Sequence, residues 1–224
     1  MLTPRKKISR KELHQDALLT KMASASDFVQ EHKEKLTYVV GGLAAIVIFS
    51  WAYFSYRSNQ NTESVDKLVQ AEQFYFAGNY REAIRRLEKF CTEYDGTTGG
   101  SLGTFYLANS YFNTDQFDYA LENFEKYVDE YGDNQVLLVS AEAGIAACHE
   151  GLNQFQEAAD YYEKIISKYD SAPNRAEMMM DLARCYKILN KAPKAKEWYQ
   201  RIVDDYPASA SARDAKAALE ELGA

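Results

Sequence analysis

The residues with the greatest potential for chemistry in this chain form the tripeptide Cys148-His149-Glu150. A thiol beside an imidazole can act as a nucleophile with its base. Adjacent residues of a helix face different directions, however, so these side chains could not line up. We therefore expect Cys148 to be a small buried hydrophobe and His149 to occupy an aromatic packing position in the core.

A glycine-rich segment, Asp-Gly-Thr-Thr-Gly-Gly-Ser-Leu-Gly, runs from Asp95 to Gly103. Glycine-rich loops can hold phosphate groups with their backbone N–H groups. This segment lacks the Gly-Lys-Ser/Thr ending of such loops, and a helix is predicted before it where a strand is required. We expect a turn between two helical units.

No other arrangement of residues in the sequence indicates catalysis. The chain has only three histidines and three cysteines, and its carboxylates are scattered over predicted helix surfaces. Its net charge of −7 argues against nucleic acid as the main partner, because phosphate binding calls for a basic surface. We predict a protein that is not an enzyme and that has no cofactor, metal site, small-molecule substrate or nucleic-acid partner.

The predicted helices that would position these residues belong to a sequence repeat of about 37 residues. Aligned copies begin at Gly78, Asp115, Asn153 and Asn190, and their anchoring alanines (Ala83, Ala120, Ala158 and Ala195) lie 37, 38 and 37 residues apart. An upstream helix in each copy pairs a small residue with an aromatic residue or histidine: Ala71/Phe74, Ala108/Tyr111, Ala146/His149 and Ala183/Tyr186. Each copy ends on a tyrosine: Tyr94, Tyr131, Tyr169 and Tyr206.

This pattern predicts helical hairpins that stack on one another. Small residues let two helices approach closely, and large residues at helical spacing fill the space between hairpins. One hairpin cannot bury its apolar face alone, so several copies are needed. The residues resemble the tetratricopeptide repeat family over Val65–Tyr206, although the period exceeds the family's usual ~34 residues. Cys148 and Cys185 occupy equivalent sites of stacked copies, which usually lie too far apart for a disulfide.

The sequence predicts an all-α protein with a single N-terminal transmembrane helix followed by an α-solenoid of about four hairpins. The expected parts are a basic tail (1–35), a transmembrane helix (36–56), a linker (57–64), four repeats within 65–207 (65–96, 101–132, 139–170 and 176–207) and a capping helix (208–224). The last part is rich in helix formers, and it would cover the open end of the stack.

The resemblance also implies a groove lined by the first helix of each hairpin. The family's groove positions fall on Phe105, Asn109 and Phe112, then on Ala143, Ala147 and Glu150, and then on Met180, Arg184 and Lys187. Family members that clamp a C-terminal carboxylate use several Lys, Arg and Asn residues here, whereas this chain keeps three. The predicted groove is apolar at one end with two cations further along, and it suits a partner segment with exposed apolar residues. Packing between repeats is the alternative interpretation of Phe105 and Met180.

The segment from Leu36 to Tyr56 contains twenty-one residues without a charge. As a helix it would be about 31 Å long, close to the ~30 Å hydrocarbon core of a bilayer. Tyr38 lies near one end and Trp51 near the other, where amphipathic rings favour the headgroup level. We predict a membrane span, with a buried core helix as the alternative.

The flanking charges predict the orientation of this span. Residues 1–35 carry eight basic and five acidic residues, whereas the chain after residue 56 carries 18 basic and 28 acidic ones. Because Lys and Arg stay on the cytoplasmic side, the N-terminal tail would be cytoplasmic and the acidic body exported. A cleaved signal peptide, with Ser50 and Ala52 at the cleavage site, is the rival interpretation, but the long N-terminal region and the following aromatic residues argue against it.

This plan and the stretch from Lys6 to Leu13 are similar to bacterial membrane-anchored tetratricopeptide proteins that are ancillary subunits of the Sec translocon. The resemblance implies a bacterial inner-membrane protein with a periplasmic C-terminal domain. Its partners would be the SecYEG translocon, a periplasmic chaperone or exported polypeptides. The alternative is an envelope-organising scaffold for cell-wall, division or outer-membrane assembly machinery.

Overall fold

The computed structural model describes residues 21–22, 24, 28–132 and 134–223. Most of the predicted basic tail, residues 1–35, therefore lies outside the described residues. Across the described part the secondary structure is helical, without a strand. The helices are α1 (Lys33–Phe76), α2 (Tyr80–Glu93), α3 (Thr98–Phe112), α4 (Phe117–Glu130), α5 (Gln135–Gly151), α6 (Phe155–Lys168), α7 (Arg175–Ile188), α8 (Ala192–Asp205) and α9 (Ala210–Glu221). The predicted all-α fold is confirmed.

Helix α1 contains the candidate membrane span. Within it, an 18-residue window has a mean hydropathy of 1.8, and none of that window is buried. This helix is long and apolar enough to cross a bilayer. The predicted linker, residues 57–64, is helical and belongs to α1. The chain divides into two compact units, Met1–Arg57 and Ser58–Ala224.

The second unit is a stack of antiparallel helical hairpins. From α2 to α9, each helix packs on the next one in the chain. First helices of neighbouring hairpins also meet, α3 with α5 and α7 with α9. The buried side chains form two apolar clusters, one around Leu87 and Phe124 and one around Leu182 and Ile202. Helix α9 closes the second cluster with Ala212 and Ala215, in the place predicted for a capping helix.

Every hairpin turns through the same left-handed backbone conformation. The residues concerned are Gly78 (φ 72°), Asp115 (φ 58°), Asn153 (φ 61°) and Asn190 (φ 57°). Glycine, Asn and Asp adopt this conformation at least cost, and it satisfies carbonyls at the helix end. In each hairpin the backbone N–H of the next residue donates a hydrogen bond to the carbonyl of the aromatic or histidine position. The pairs are Asn79 to Phe74, Gln116 to Tyr111, Gln154 to His149 and Lys191 to Tyr186. The sequence repeat therefore reflects a repeated turn as well as repeated packing.

The anchoring alanines mark the closest helix contacts. Ala83, Ala120, Ala158 and Ala195 are all 0% exposed. Their partners on the first helices, Ala108, Ala146 and Ala183, are also 0% exposed. Small side chains are required wherever two helices approach this closely.

Replacing Ala120 with tryptophan is expected to destabilise the second hairpin, because the 0% exposed alanine leaves no room for an indole ring. Overpacking of this kind lowers the free energy of unfolding by ~1–3 kcal/mol or more. Thermal unfolding followed by circular dichroism measures the loss. Glu122→Trp, at an exposed position of the same helix, is the control and should melt near the wild-type temperature. An unchanged melting curve for Ala120→Trp would contradict the packing described above.

The glycine-rich segment is helical over more of its length than the predicted turn. Helix α3 begins at Thr98, so that Gly99, Gly100 and Gly103 lie inside it. A Cβ atom on Gly99 would lie 2.5 Å from the Ser64 carbonyl, and one on Gly103 would lie 2.9 Å from the Phe90 ring. These glycines therefore allow close packing. Two of the N–H groups at this helix start bond within the chain, Gly99 to the Ser64 hydroxyl (3.1 Å) and Gly100 to the Thr97 hydroxyl (3.0 Å).

Candidate partner-binding groove

The first helices of three hairpins, α3, α5 and α7, line a concave groove of about 220 Å³. Second helices α4 and α6 contribute one aromatic ring each. The lining residues are Phe105, Asn109, Phe112, Phe124, Ser140, Ala143, Gly144, Ala147, Tyr162, Asn174, Glu177, Met178 and Asp181. The groove thus runs across three successive hairpins of the stack.

The α3 end of the groove is aromatic. Phe105, Asn109 and Phe112 all line it. The Phe105 ring meets Phe124 edge-on at 6.2 Å between centroids, so this half-buried side chain both packs within the hairpin and faces the groove. The Asn109 side-chain amide donates to the Phe105 carbonyl at 2.8 Å. This end offers apolar ring surface to a ligand.

The middle of the groove is kept open by small residues on α5. Ala143, Gly144 and Ala147 lie there, all partly exposed. A Cβ atom on Gly144 would lie 2.6 Å from Phe124 Cζ, so even a methyl group would push the Phe124 ring. A larger side chain at Ala147 would fill the space that a ligand needs.

The α7 end differs from the expected arrangement. Glu177, Met178 and Asp181 line the groove there, whereas the repeat register predicts Met180, Arg184 and Lys187. The carboxylates of Glu177 and Asp181 therefore line the groove, and Arg184, which shares their helix face, lies beside Asp181.

Glu150 and Arg184 contact each other. Arg184 Nη2 donates to Glu150 Oε2 at 2.8 Å, and the Tyr162 hydroxyl donates to Glu150 Oε1 at 2.9 Å. Arg184 Nη1 also lies 2.8 Å from Asp181 Oδ1. This network joins α5, α6 and α7, so both predicted site residues already have partners within the chain.

The remaining predicted residues on α7 have structural contacts as well. Lys187 Nζ lies 2.7 Å from Glu221 Oε2 on the capping helix α9. Met180 is half-buried and packs against the C-terminal apolar cluster. Of the seven residues predicted for the groove, Phe105, Asn109 and Phe112 lie together in it, and the other four make contacts around its far end. Glu177 and Asp181 line the groove but were not among the residues predicted from the sequence.

Burial raises the pKa of the Asp181 carboxyl to about 6, and the charges of Glu150 and Glu177 act in the same direction against the opposing effect of Arg184. The folded state therefore binds a proton more tightly than the unfolded state does. Stability must then fall as pH rises through the window between the ordinary Asp pKa of ~3.9 and about 6.

Replacing Asp181 with asparagine is expected to remove this pH dependence. At pH 7 to 8 the variant should melt above the wild type, and near pH 4.5 the two should nearly coincide, because the wild-type carboxyl is then mostly protonated. Thermal melts across this range measure the difference. Asp214→Asn, at an exposed position of α9, serves as the control and should follow the wild type at every pH.

The three cysteines are buried, and His149 packs against an aromatic ring. Cys91, Cys148 and Cys185 are free and buried, and burial raises the pKa of their thiols to about 11, 12 and 12. His149 is half-buried instead of lying fully in the core: its ring stacks on Tyr161 at 5.2 Å. No group of three His, Cys, Asp or Glu side chains that could hold a metal occurs among the described residues.

Two segments of the chain match family models described as "Tetratricopeptide repeat", residues 104–134 and 149–219. No curated protein gives a significant sequence match.

Several solved structures share the fold of the hairpin stack. A tetratricopeptide repeat protein from Parabacteroides merdae has a TM-score of 0.59 and 16% identity over 71% of this chain and 60% of its own. A putative kinesin light chain with TPR-like repeats from Podosopora anserina has a TM-score of 0.55 and 18% identity over 70% of this chain and 89% of its own. The MamA protein has a TM-score of 0.55 and 17% identity over 74% of this chain and 87% of its own. The two matches to family models and these structural similarities support the assignment of the stacked hairpins to the tetratricopeptide repeat family.

Proposed function

We propose that this protein is a membrane-anchored scaffold that binds a polypeptide partner in the groove formed by α3, α5 and α7. A tetratricopeptide scaffold for protein–protein interaction is supported by the family models and the fold. The observation that carries the proposal is the groove itself, which combines an aromatic end with a floor of small residues. Stacked repeats of this kind use such concave surfaces for binding.

The proposal places the scaffold at a bacterial inner membrane with its hairpins in the periplasm. Its support is the apolar stretch of α1 and the excess of basic residues before that stretch. An anchor restricts the groove to the membrane surface and so raises its effective concentration there. We propose an accessory role beside the Sec translocon, where the groove meets emerging polypeptides or a periplasmic chaperone.

Photo-crosslinking tests this function in the full chain embedded in its membrane. A photoreactive residue at Phe112 should capture exported polypeptides or a chaperone, whereas one at Tyr119, exposed on the second helix α4, should not. Capture should disappear when Ala147→Trp fills the groove. Equal capture at both positions would contradict groove binding. Capture of a single folded envelope protein would instead favour the envelope-organising scaffold.

A further inference from the structure

We propose that the groove takes a polypeptide segment that carries a lysine or arginine beside large apolar side chains. This inference rests on the proposed function and specifies the chemistry of its ligand. Its basis is the charge of the α7 end of the groove together with the aromatic character of the α3 end. The α7 end therefore favours a cationic side chain of the bound segment, and the α3 end favours its apolar side chains.

Carboxylates outnumber cations at the α7 end. The Arg184 guanidinium pairs with Glu150 and Asp181, and the charge of Glu177 acts on Asp181 in addition. Glu177 is exposed, and it forms no ion pair within the described part of the chain. Lys187, the next cation along α7, is engaged by Glu221. A positive group supplied by a ligand would therefore meet uncompensated negative charge.

The α3 end provides the apolar half of the site. Phe105 and Phe112 present ring surface there, and Asn109 lies between them on the same helix face. Aromatic and large aliphatic side chains of a ligand would bury apolar area on these rings. Ala143 and Ala147 leave the path between the two ends unobstructed.

This arrangement reverses the charge preference of family members that clamp a C-terminal carboxylate. Such a ligand would bring its negative charge to Glu177 and Asp181, where like charges repel. The structure thus favours an internal segment with a cation over an acidic chain end.

Fluorescence anisotropy of short labelled peptides tests the inference with the full chain in detergent micelles. The peptides share the same phenylalanines and differ at one position, which holds Arg, Gln or Glu. We expect the Arg peptide to bind about three- to fivefold more tightly than the Gln peptide for each carboxylate engaged, and the Glu peptide to bind most weakly. The preference should shrink as ionic strength rises.

Variants assign this preference to named carboxylates. Glu177→Gln and the double variant Glu177→Gln/Asp181→Asn should reduce the Arg-over-Gln preference stepwise, by about three- to fivefold for each group removed. Glu197→Gln, an exposed carboxylate of α8, is the matched control and should leave the preference unchanged. An equally large reduction of the Arg-over-Gln preference in Glu197→Gln would overturn the inference. An unchanged preference in the double variant would also overturn it. Circular dichroism melts check that each variant is folded.

A groove-filling variant separates failure of the charge inference from failure of the proposed function. Ala147→Trp should abolish binding of the Arg peptide, whereas Ala217→Trp, at an exposed position of α9, should not. If all three peptides bind equally and Ala147→Trp abolishes that binding, groove binding stands and the charge inference is wrong. If no peptide binds, or if Ala147→Trp has no effect, both are wrong.

Discussion

Replacing Gly100 with alanine is expected to lower the free energy of unfolding by about 3 kcal/mol, because the new methyl group collides with the backbone. A Cβ atom on Gly100 would lie 2.0 Å from the Tyr94 carbonyl oxygen. The neighbouring hydroxyl of Thr97 also accepts the N–H of Gly100, so α3 cannot simply move away. For a protein of this size, the melting temperature should fall by roughly 6–12 °C.

The matched control for this change is Thr98→Ala, at an exposed position of the same helical turn. It should melt close to the wild type. Hydrogen exchange should locate the loss of protection in Gly100→Ala to α2 and α3, where the packing is disturbed. A normal melting temperature for Gly100→Ala would show that the contact between α3 and Tyr94 is looser than described.

The full chain is expected to remain in the membrane pellet after alkaline carbonate extraction, and Leu43→Arg/Ile46→Arg is expected to release it. Both residues lie exposed in the apolar stretch of α1. An arginine near the centre of a span costs ~2.5–3.5 kcal/mol in insertion free energy, so two of them should outweigh the gain from the apolar residues. Fractionation followed by immunoblotting measures the distribution.

The conservative variant Ile46→Leu keeps the stretch apolar and should stay in the pellet. Intact mass of the purified wild type distinguishes an anchor from a signal peptide, since cleavage after Ala52 would remove the apolar stretch. Wild-type protein found in the soluble fraction with an intact N-terminus would refute the anchor.

The repeat architecture was predictable because local sequence patterns specify it. One position of each repeat needs a left-handed backbone conformation, and it is occupied by Gly78, Asp115, Asn153 and Asn190. The repeated alanines mark the close helix contacts. These requirements act within single hairpins, so they recur in sequence at the period of the fold. The prediction that Phe105 and Phe112 face a groove rests on the same register.

The far end of the groove was not predictable, because its character depends on contacts between hairpins. Arg184 meets Glu150 and Lys187 meets Glu221, and each pair is separated by 34 residues. Nothing in the local pattern distinguishes a cation that faces a ligand from one that is paired with the neighbouring hairpin. The repeat register likewise did not select Glu177 and Asp181, which line the groove.

The succession of contacts from α2 to α9, each helix on its neighbour in the chain, has a kinetic consequence. Native contacts between residues close in sequence require little loop closure, so such topologies fold quickly. Because a chain is synthesised from its N-terminus, each newly completed hairpin can pack on those already formed. The apolar surfaces of this protein should therefore be exposed to proteases and to aggregation only briefly during its synthesis.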